Sequence, residues 1–555
     1  MHNIFLALAV FGALSCGFAQ TNAKQASSTL PTAAQTAIKN VNSENIRAHV
    51  RFLSHDLLEG RGTGQRGGDI AAEYIGTMFA TYGLKPAGDN GSYLQKVPMV
   101  GITTKPTSSF EVALTDATKK LRQQEEIVAM DETGNASDEI DAPMVWVGYG
   151  ITAPEYRWDD YQGLDVKGKV LLMLVNEPPS NDPKFFKGRA LTYYGRWTYK
   201  YEQAARMGAV GVILVHQADM ASYGWDVVRN SWGGERSYLR ENNEPKLKAA
   251  AWVQYDVAQK ILGDSGVDIL QAINEAGKPG FHGSELKARF KAHVESAVRP
   301  FDSNNVVAEL PGADAKLKNQ AVLYTAHYDH LGIDPTKTEN NIYHGAADNA
   351  TGCGILLEMA RVLAASPVRP KRSMLFAAVT AEEQGLRGSE YLGKHPPFAA
   401  RDISLDVNYD DVPPIGTPEE VQVSGAERTT FYPVVQQAAK EFKLTIVPDT
   451  RPEAGHYYRS DHFSMARVGV PAFSVNEGDK FAGHDRTWGE KQAQDYNKNR
   501  YHQPSDEYRP EMDFRGDALM AKFGIALGWK AANLATTVGW QPGDEFEKAR
   551  QASAH

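Results

Sequence analysis

Apolar residues recur at helical spacing from Asn45 onward. Ile46, Val50, Phe52, Leu53, Leu57 and Leu58 mark one helix, and Ala71, Ala72, Tyr74, Ile75, Met78 and Phe79 a second, closed by Gly83 and Pro86. Between about 130 and 290 the texture changes. Continuous apolar runs at 144–150, 166–175 and 208–215 read as buried strands, with a helix at roughly 198–207 leading into the last of them. From about 300, apolar strands at 321–326, 373–379, 403–409, 421–424 and 471–475 alternate with amphipathic helices near 353–365, 429–442 and 515–534. This is the α/β pattern of a mostly parallel mixed sheet sandwiched by helices, with a smaller α/β unit inserted ahead of it. Ligands in such sheets collect beyond the carboxyl ends of the strands.

The chain has 555 residues, enough for several domains, with 42% hydrophobic and 23% charged residues, so neither disorder nor a fibrous repeat fits. Its 59 basic against 68 acidic side chains give a net charge of −9, a poor footprint for nucleic acid. The apolar segment 4–14 is signal-peptide length, and Gly17-Phe18-Ala19 supplies small residues for cleavage. Residues 1–19 are therefore expected to be a signal peptide of a periplasmic or secreted protein, and 20–44, rich in Ala, Thr, Ser and Gln, a linker. No later stretch approaches the ~18 uncharged apolar residues of a transmembrane span. Of the two cysteines, Cys16 lies in the leader and Cys353 at the start of a core-facing helix, where packing explains it better than nucleophilic chemistry.

Polar residues gather where the strands end. His327 and Asp329 follow the strand 321–326, with Asp329 placed to orient the imidazole. Asp348 sits among glycines just before a helix, where a metal-ligand reading and a helix N-cap reading both fit. Glu382 and Glu383 leave the strand 373–379 side by side, and burying both charges without a cation costs several kcal/mol. Asp406, Asn408 and Asp410 alternate on one face of the next strand, and His502 follows in a polar stretch. A mixed His and carboxylate set suits zinc or a similar divalent ion, and two ions sharing a carboxylate account for so many acids.

With these residues in view, the region 300–540 and its lead-in at about 45–128 resemble the secreted bacterial aminopeptidases with two co-catalytic zinc ions. The segment Phe52-Leu53-Ser54-His55-Asp56-Leu57-Leu58-Glu59-Gly60-Arg61-Gly62-Thr63-Gly64 looks like that family's N-terminal signature. The "GKV" run at 168–170 and "GAVGVIL" run at 208–214 resemble a protease-associated domain. The resemblance implies a peptidase divided into 45–129 and 291–540, a protease-associated insertion at 130–290 and a tail at 541–555. It implies two Zn2+ held by His327, Asp348 as the bridge, Glu383, Asp410 and His502, with Glu382 as general base. Asp410 is preferred over Asp406 because the family places this ligand about 27 residues after Glu383. Tyr501 and Tyr457 are candidates to steady the oxyanion.

The implied activity is removal of N-terminal residues from peptide substrates. Carboxypeptidase or dipeptidase specificity, a one-metal glutaminyl cyclase and a non-catalytic binding protein are the competing readings. The insertion, which supplies none of these ligands, is expected to fold by itself and to be dispensable for metal binding.

Overall fold

The computed structural model describes residues 30–241 and 244–553; the signal-peptide reading at 1–19 lies outside them. One sheet runs in the order Ala472–Ser474, Ile403–Asn408, Ala321–His327, Ser373–Val379 and then the end of a long strand, Ser284–Leu310. The first four strands are parallel and the long strand closes the edge antiparallel. Every residue of Ala321–His327, Ser373–Val379 and Ile403–Asn408 is buried, because helices cover both faces. Val322, Tyr324, Met374, Phe376, Leu405 and Val407 face one core with the helices Ser43–Leu53, Gly352–Ala364 and Arg515–Ala532. Leu323, Leu375, Ala377 and Ile403 face the other, against Arg387–Lys394 and His462–Arg467. The two-residue period thus sorts Ala321–His327 and Ser373–Val379 by face, while a register shift near Ile403 puts Ile403 and Leu405 on opposite faces. The helix Arg515–Ala532 comes close to the sheet because it carries glycines: Tyr324 donates its hydroxyl to Gly524 O at 3.1 Å, and a Cβ on Gly528 would lie 1.8 Å from that hydroxyl.

The second sheet contains Ser137–Trp146, Val170–Leu174, Gly211–His216 and Ala249–Gln254 in parallel order, with Ile127–Met130 antiparallel at its edge. The long strand joins both sheets: residues 284–295 pair with Ser137–Trp146, 296–306 with Leu94–Thr104, and 306–310 with Ser373–Val379. Ser109–Ala113 and Thr118–Leu121 also join the second sheet. The division therefore falls near 104 and inside the strand at about 296, whereas the sequence pattern put it at 130 and 290. A strand that crosses from one sheet to another keeps its alternation, so nothing in its pattern marks the crossing.

Two described segments near the chain ends pack onto the body of the protein. Thr32–Lys39, assigned to the linker, is a helix with Ala34 and Ala37 buried against Arg515–Ala532. The tail docks through buried Phe546, and Arg428 pairs with Asp544 at 2.8 Å and Glu545 at 2.6 Å. Helix Arg486–Asn499, which hydrophobic periodicity did not announce, buries only Gly489. Among the described residues no helix is long and apolar enough to cross a membrane.

Candidate metal centre

The strand Ala321–His327 ends on a buried imidazole whose Nδ1 lies 3.2 Å from the backbone oxygen of Asp329. The Asp329 carboxylate stands farther off, at 3.7 Å, and instead accepts from Thr63 Oγ1 at 2.9 Å and Glu382 N at 3.1 Å. Asp329 thus orients His327 by its carbonyl and ties two loops by its side chain. The other imidazole nitrogen, Nε2, faces Asp410 Oδ1 at 3.0 Å and Asp348 Oδ1 at 3.2 Å.

Asp348 lies in a buried turn ahead of the helix Gly352–Ala364, and the cap position falls at Thr351, so its carboxylate is not an N-cap. Gly345, at φ 57°, permits the turn, since a Cβ there would sit 2.2 Å from Asp348 O. Asp506 accepts the backbone N–H groups of Ala347 at 3.0 Å and Asp348 at 3.1 Å. Asp348 Oδ2 points away from His327 and meets His502 Nε2 at 3.2 Å. His502 Nε2 also lies 3.1 Å from Glu383 Oε2. One carboxylate therefore stands between two donor groups.

His330 joins the second group, its Nδ1 at 2.7 Å from Glu383 Oε1 and 3.9 Å from Asp348 Oδ2. The short approach to Glu383 lacks hydrogen-bond geometry, and both His330 nitrogens and Glu383 Oε1 are buried with no hydrogen-bond partner. Unpartnered buried imidazole and carboxylate atoms converging in this way fit a cation. Within each trio, His327, Asp348 and Asp410 or His330, Asp348 and Glu383, the donor atoms lie within 4.8 Å of one another. The closest donor separations of 3.0–3.2 Å approach the ~3.3 Å edge of a tetrahedron with ~2.0 Å bonds. Nothing in the sequence marks His330 as a donor, because its approach to Glu383 exists only after folding.

Charge in the cluster is strongly coupled. Burial raises Glu382 well above the usual carboxylate range. Burial also opposes ionisation of Glu383, yet His502 and His330 hold it at about 2. Against its own burial, His502 is raised to about 10 by Glu383 and Asp348. Three positions in left-handed backbone geometry border the site, Ala381 (φ 55°), Asp411 (φ 54°) and His502 (φ 55°), a strain of order 1–3 kcal/mol each that the surrounding packing must hold.

Glu382 lines the adjoining cleft, and among the described residues no hydrogen bond or ion pair engages its carboxylate. Tyr501 lines the same cleft, stacked on His502 with ring centroids 4.0 Å apart. Tyr457 is not brought to the cleft. Its hydroxyl donates to Ala472 O at 3.3 Å and its ring lies 4.5 Å from the Arg428 guanidinium. Asp406 is buried below the site, accepting from Thr325 Oγ1 at 3.1 Å, and burial keeps its pKa far above the usual range. Cys353 gives its thiol to His327 O at 3.1 Å, and burial pushes that thiol up to about 12, which removes it as a nucleophile.

Two contacts from outside the peptidase sheet were not legible in the sequence. Arg61, fully buried, donates to Leu53 O, Tyr328 O, His344 O and Gly345 O at 2.6–2.8 Å, so the N-terminal signature clamps the loops that carry His327 and Asp348. The insertion also reaches the ligands: Ser231 Oγ lies 2.9 Å from His502 Nδ1, Asn230 Nδ2 donates to His502 O at 3.3 Å, and Arg236 Nη1 donates to Glu383 O at 2.7 Å. The expectation that the insertion is dispensable for metal binding did not include these contacts.

Residues 305–518 match the model of peptidase family M28. A probable zinc metalloprotease of Pyrenophora teres f. teres (strain 0-1) is 39% identical over 95 residues, 17% of this chain and 19% of that protein. Leupeptin-inactivating enzyme 1 of Streptomyces exfoliatus is 26% identical over 247 residues, 44% of this chain and 51% of that protein. The chain thus spans between a fifth and a half of the length of these curated relatives. The solved structure of an aminopeptidase from Aneurinibacillus sp. strain AM-1 shares the fold, with a TM-score of 0.52 at 19% identity, covering 92% of this chain and 98% of that one.

Proposed function

We propose that this chain, with an M28 peptidase segment at 305–518, is a zinc-dependent exopeptidase that removes N-terminal residues from peptides. The observation that carries the reading is Asp348, whose two oxygens face His327 on one side and His502 on the other. His327, Asp348 and Asp410 would hold one ion, and Asp348, Glu383 and His502 the second, with His330 beside it. Bound zinc supplies Lewis acidity to the scissile carbonyl and to a water. Glu382, held partly exposed at the cleft by the Ala381 turn, takes the proton of the attacking water and returns it to the leaving amine. Of the two candidate tyrosines, Tyr501 would steady the substrate oxygen, a role supported by its place in the cleft lining.

The insertion is read as a protease-associated domain, supported by the parallel pair Val170–Leu174 and Gly211–His216 that carries the two matching runs. Export to the periplasm or medium is supported by the apolar segment 4–14. Metal analysis of the purified chain and mass spectrometry of a digested peptide library test the function. About two zinc ions and stepwise loss of N-terminal residues are expected. One ion with cyclised N-terminal glutamine products would replace the reading by a cyclase, loss from the other end by a carboxypeptidase, and absence of both metal and turnover by a binding protein.

A further inference from the structure

The cleft beside Glu382 is walled by the insertion on one side and the peptidase on the other, and five arginines border it: Arg196, Arg236, Arg387, Arg459 and Arg467. Three of them are engaged within the protein. Arg387 pairs with Glu390 at 3.1 Å, Arg467 approaches Glu202 at 3.9 Å, and Arg236 donates to Ser231 O and Glu383 O at 3.1 and 2.7 Å. Arg196 and Arg459 differ. Neither forms an ion pair among the described residues, and the Nε atom of each is buried without a hydrogen-bond partner. Arg459 spends one Nη2 contact on Ala221 O at 3.1 Å, and its guanidinium lies 5.5 Å from the Tyr223 ring. The Arg196 side chain has no hydrogen bond at all among the described residues.

The two guanidiniums repel one another, since the charge of Arg459 acts on Arg196, and no carboxylate is among the principal influences on Arg196. Burial lowers the Arg196 pKa to about 10, which leaves it charged at neutral pH. Both lie close enough to act electrostatically on Tyr501, the ring that lines the same cleft and stacks on His502. Two half-buried like charges with donors unfilled are costly unless an anion completes them. A planar fork of N–H donors is matched best by a carboxylate.

Resting on the exopeptidase reading, we propose that Arg196 and Arg459 form a carboxylate-binding subsite that makes the enzyme select peptides carrying a carboxylate close to the scissile bond. Arg196 comes from the insertion and Arg459 from the peptidase, so the subsite exists only where the two meet. The carboxylate has two sources, an Asp or Glu side chain or the α-carboxylate of a short peptide.

The test compares kcat/KM of the zinc-loaded full chain on three matched pairs. Leu-Gly-Gly against its C-terminal amide reports the α-carboxylate, Leu-Glu-Gly-amide against Leu-Gln-Gly-amide a side chain after the bond, and Glu-Gly-Gly-amide against Gln-Gly-Gly-amide one before it. A charge-assisted contact predicts roughly ten- to hundredfold preference for the carboxylate member of at least one pair. That ratio should collapse to within about threefold in Arg196→Gln and Arg459→Gln and be partly kept in Arg196→Lys and Arg459→Lys, which retain the charge without the fork. Ratios near unity in all pairs, or ratios that the glutamine variants leave intact, overturn the proposal. Should no pair be cleaved, the exopeptidase reading itself fails, and calorimetry with glutarate against glutaramide decides the subsite separately. Glutarate binding that is lost in the Arg196→Gln/Arg459→Gln double variant upholds it; binding indifferent to the substitutions, or none, overturns it.

Discussion

Ser231 Oγ stands 2.9 Å from His502 Nδ1, although Ser231 lies on the helix Trp225–Trp232 of the insertion, His502 lies in a turn of the peptidase, and 271 positions separate them. A hydroxyl there fixes the ring so that Nε2 meets Asp348 and Glu383. Ser231→Ala is expected to weaken zinc binding about 10- to 100-fold at one of two sites, with stability nearly unchanged. Competition with a fluorescent chelator measures it; unaltered affinity would show that the hydroxyl does not position the ring.

Glu382→Gln should lower turnover at least ~10²-fold while zinc content stays at the wild-type value, because the carboxylate moves a proton and holds no ion. Parallel metal analysis and peptide hydrolysis decide this. Loss of zinc in step with activity would exchange the roles of Glu382 and Glu383.

Asp410 and Asp406 should part ways. Asp410→Ala removes the oxygen 3.0 Å from His327 Nε2, and one equivalent of metal should be lost. Asp406 receives a hydrogen bond from Thr325, and burial favours its protonated form, so Asp406→Asn should keep both metal and most activity. The reverse result would move the ligand to Asp406.

Arg61→Met leaves four carbonyl oxygens without their buried donor and should cost about 3–5 kcal/mol in denaturant unfolding, with weaker zinc retention in the folded fraction. A loss below ~1 kcal/mol would mean that the loops hold themselves.

Asp517, at the start of the helix Arg515–Ala532, is fully buried, its oxygens lack partners, and burial raises its pKa from 3.8 to about 8. The folded state therefore binds a proton that the unfolded chain has released. Its contribution to stability is complete below pH about 4 and is lost as pH rises through about 8. Relative to Asp517→Asn, the wild type should lose stability between pH 5 and pH 8, by an amount of order a few kcal/mol. Denaturant midpoints of both proteins at the two pH values check the sign; a wild type that gains stability relative to Asp517→Asn as pH rises contradicts the assignment.

The sequence by itself determined the strands and helices that bear the candidate site and most of its donors. Strand ends write themselves into sequence as an apolar run followed by a polar residue, which is how His327, Glu382 and Glu383 are legible in Ala321–His327 and Ser373–Val379. Spacing within a resemblance separated Asp410 from Asp406, where the alternation of one strand face could not. Tertiary structure decided everything that depends on segments meeting across long distances. The approach of His330 to Glu383, the clamp of Arg61 on four carbonyl oxygens from three segments, the reach of Ser231 to His502 and the displacement of Tyr457 from the cleft all arise from how separate elements pack. Local periodicity reports only whether a residue is turned inward; which partner it finds there is set by the joint folding of both sheets, tied together by the single strand Ser284–Leu310.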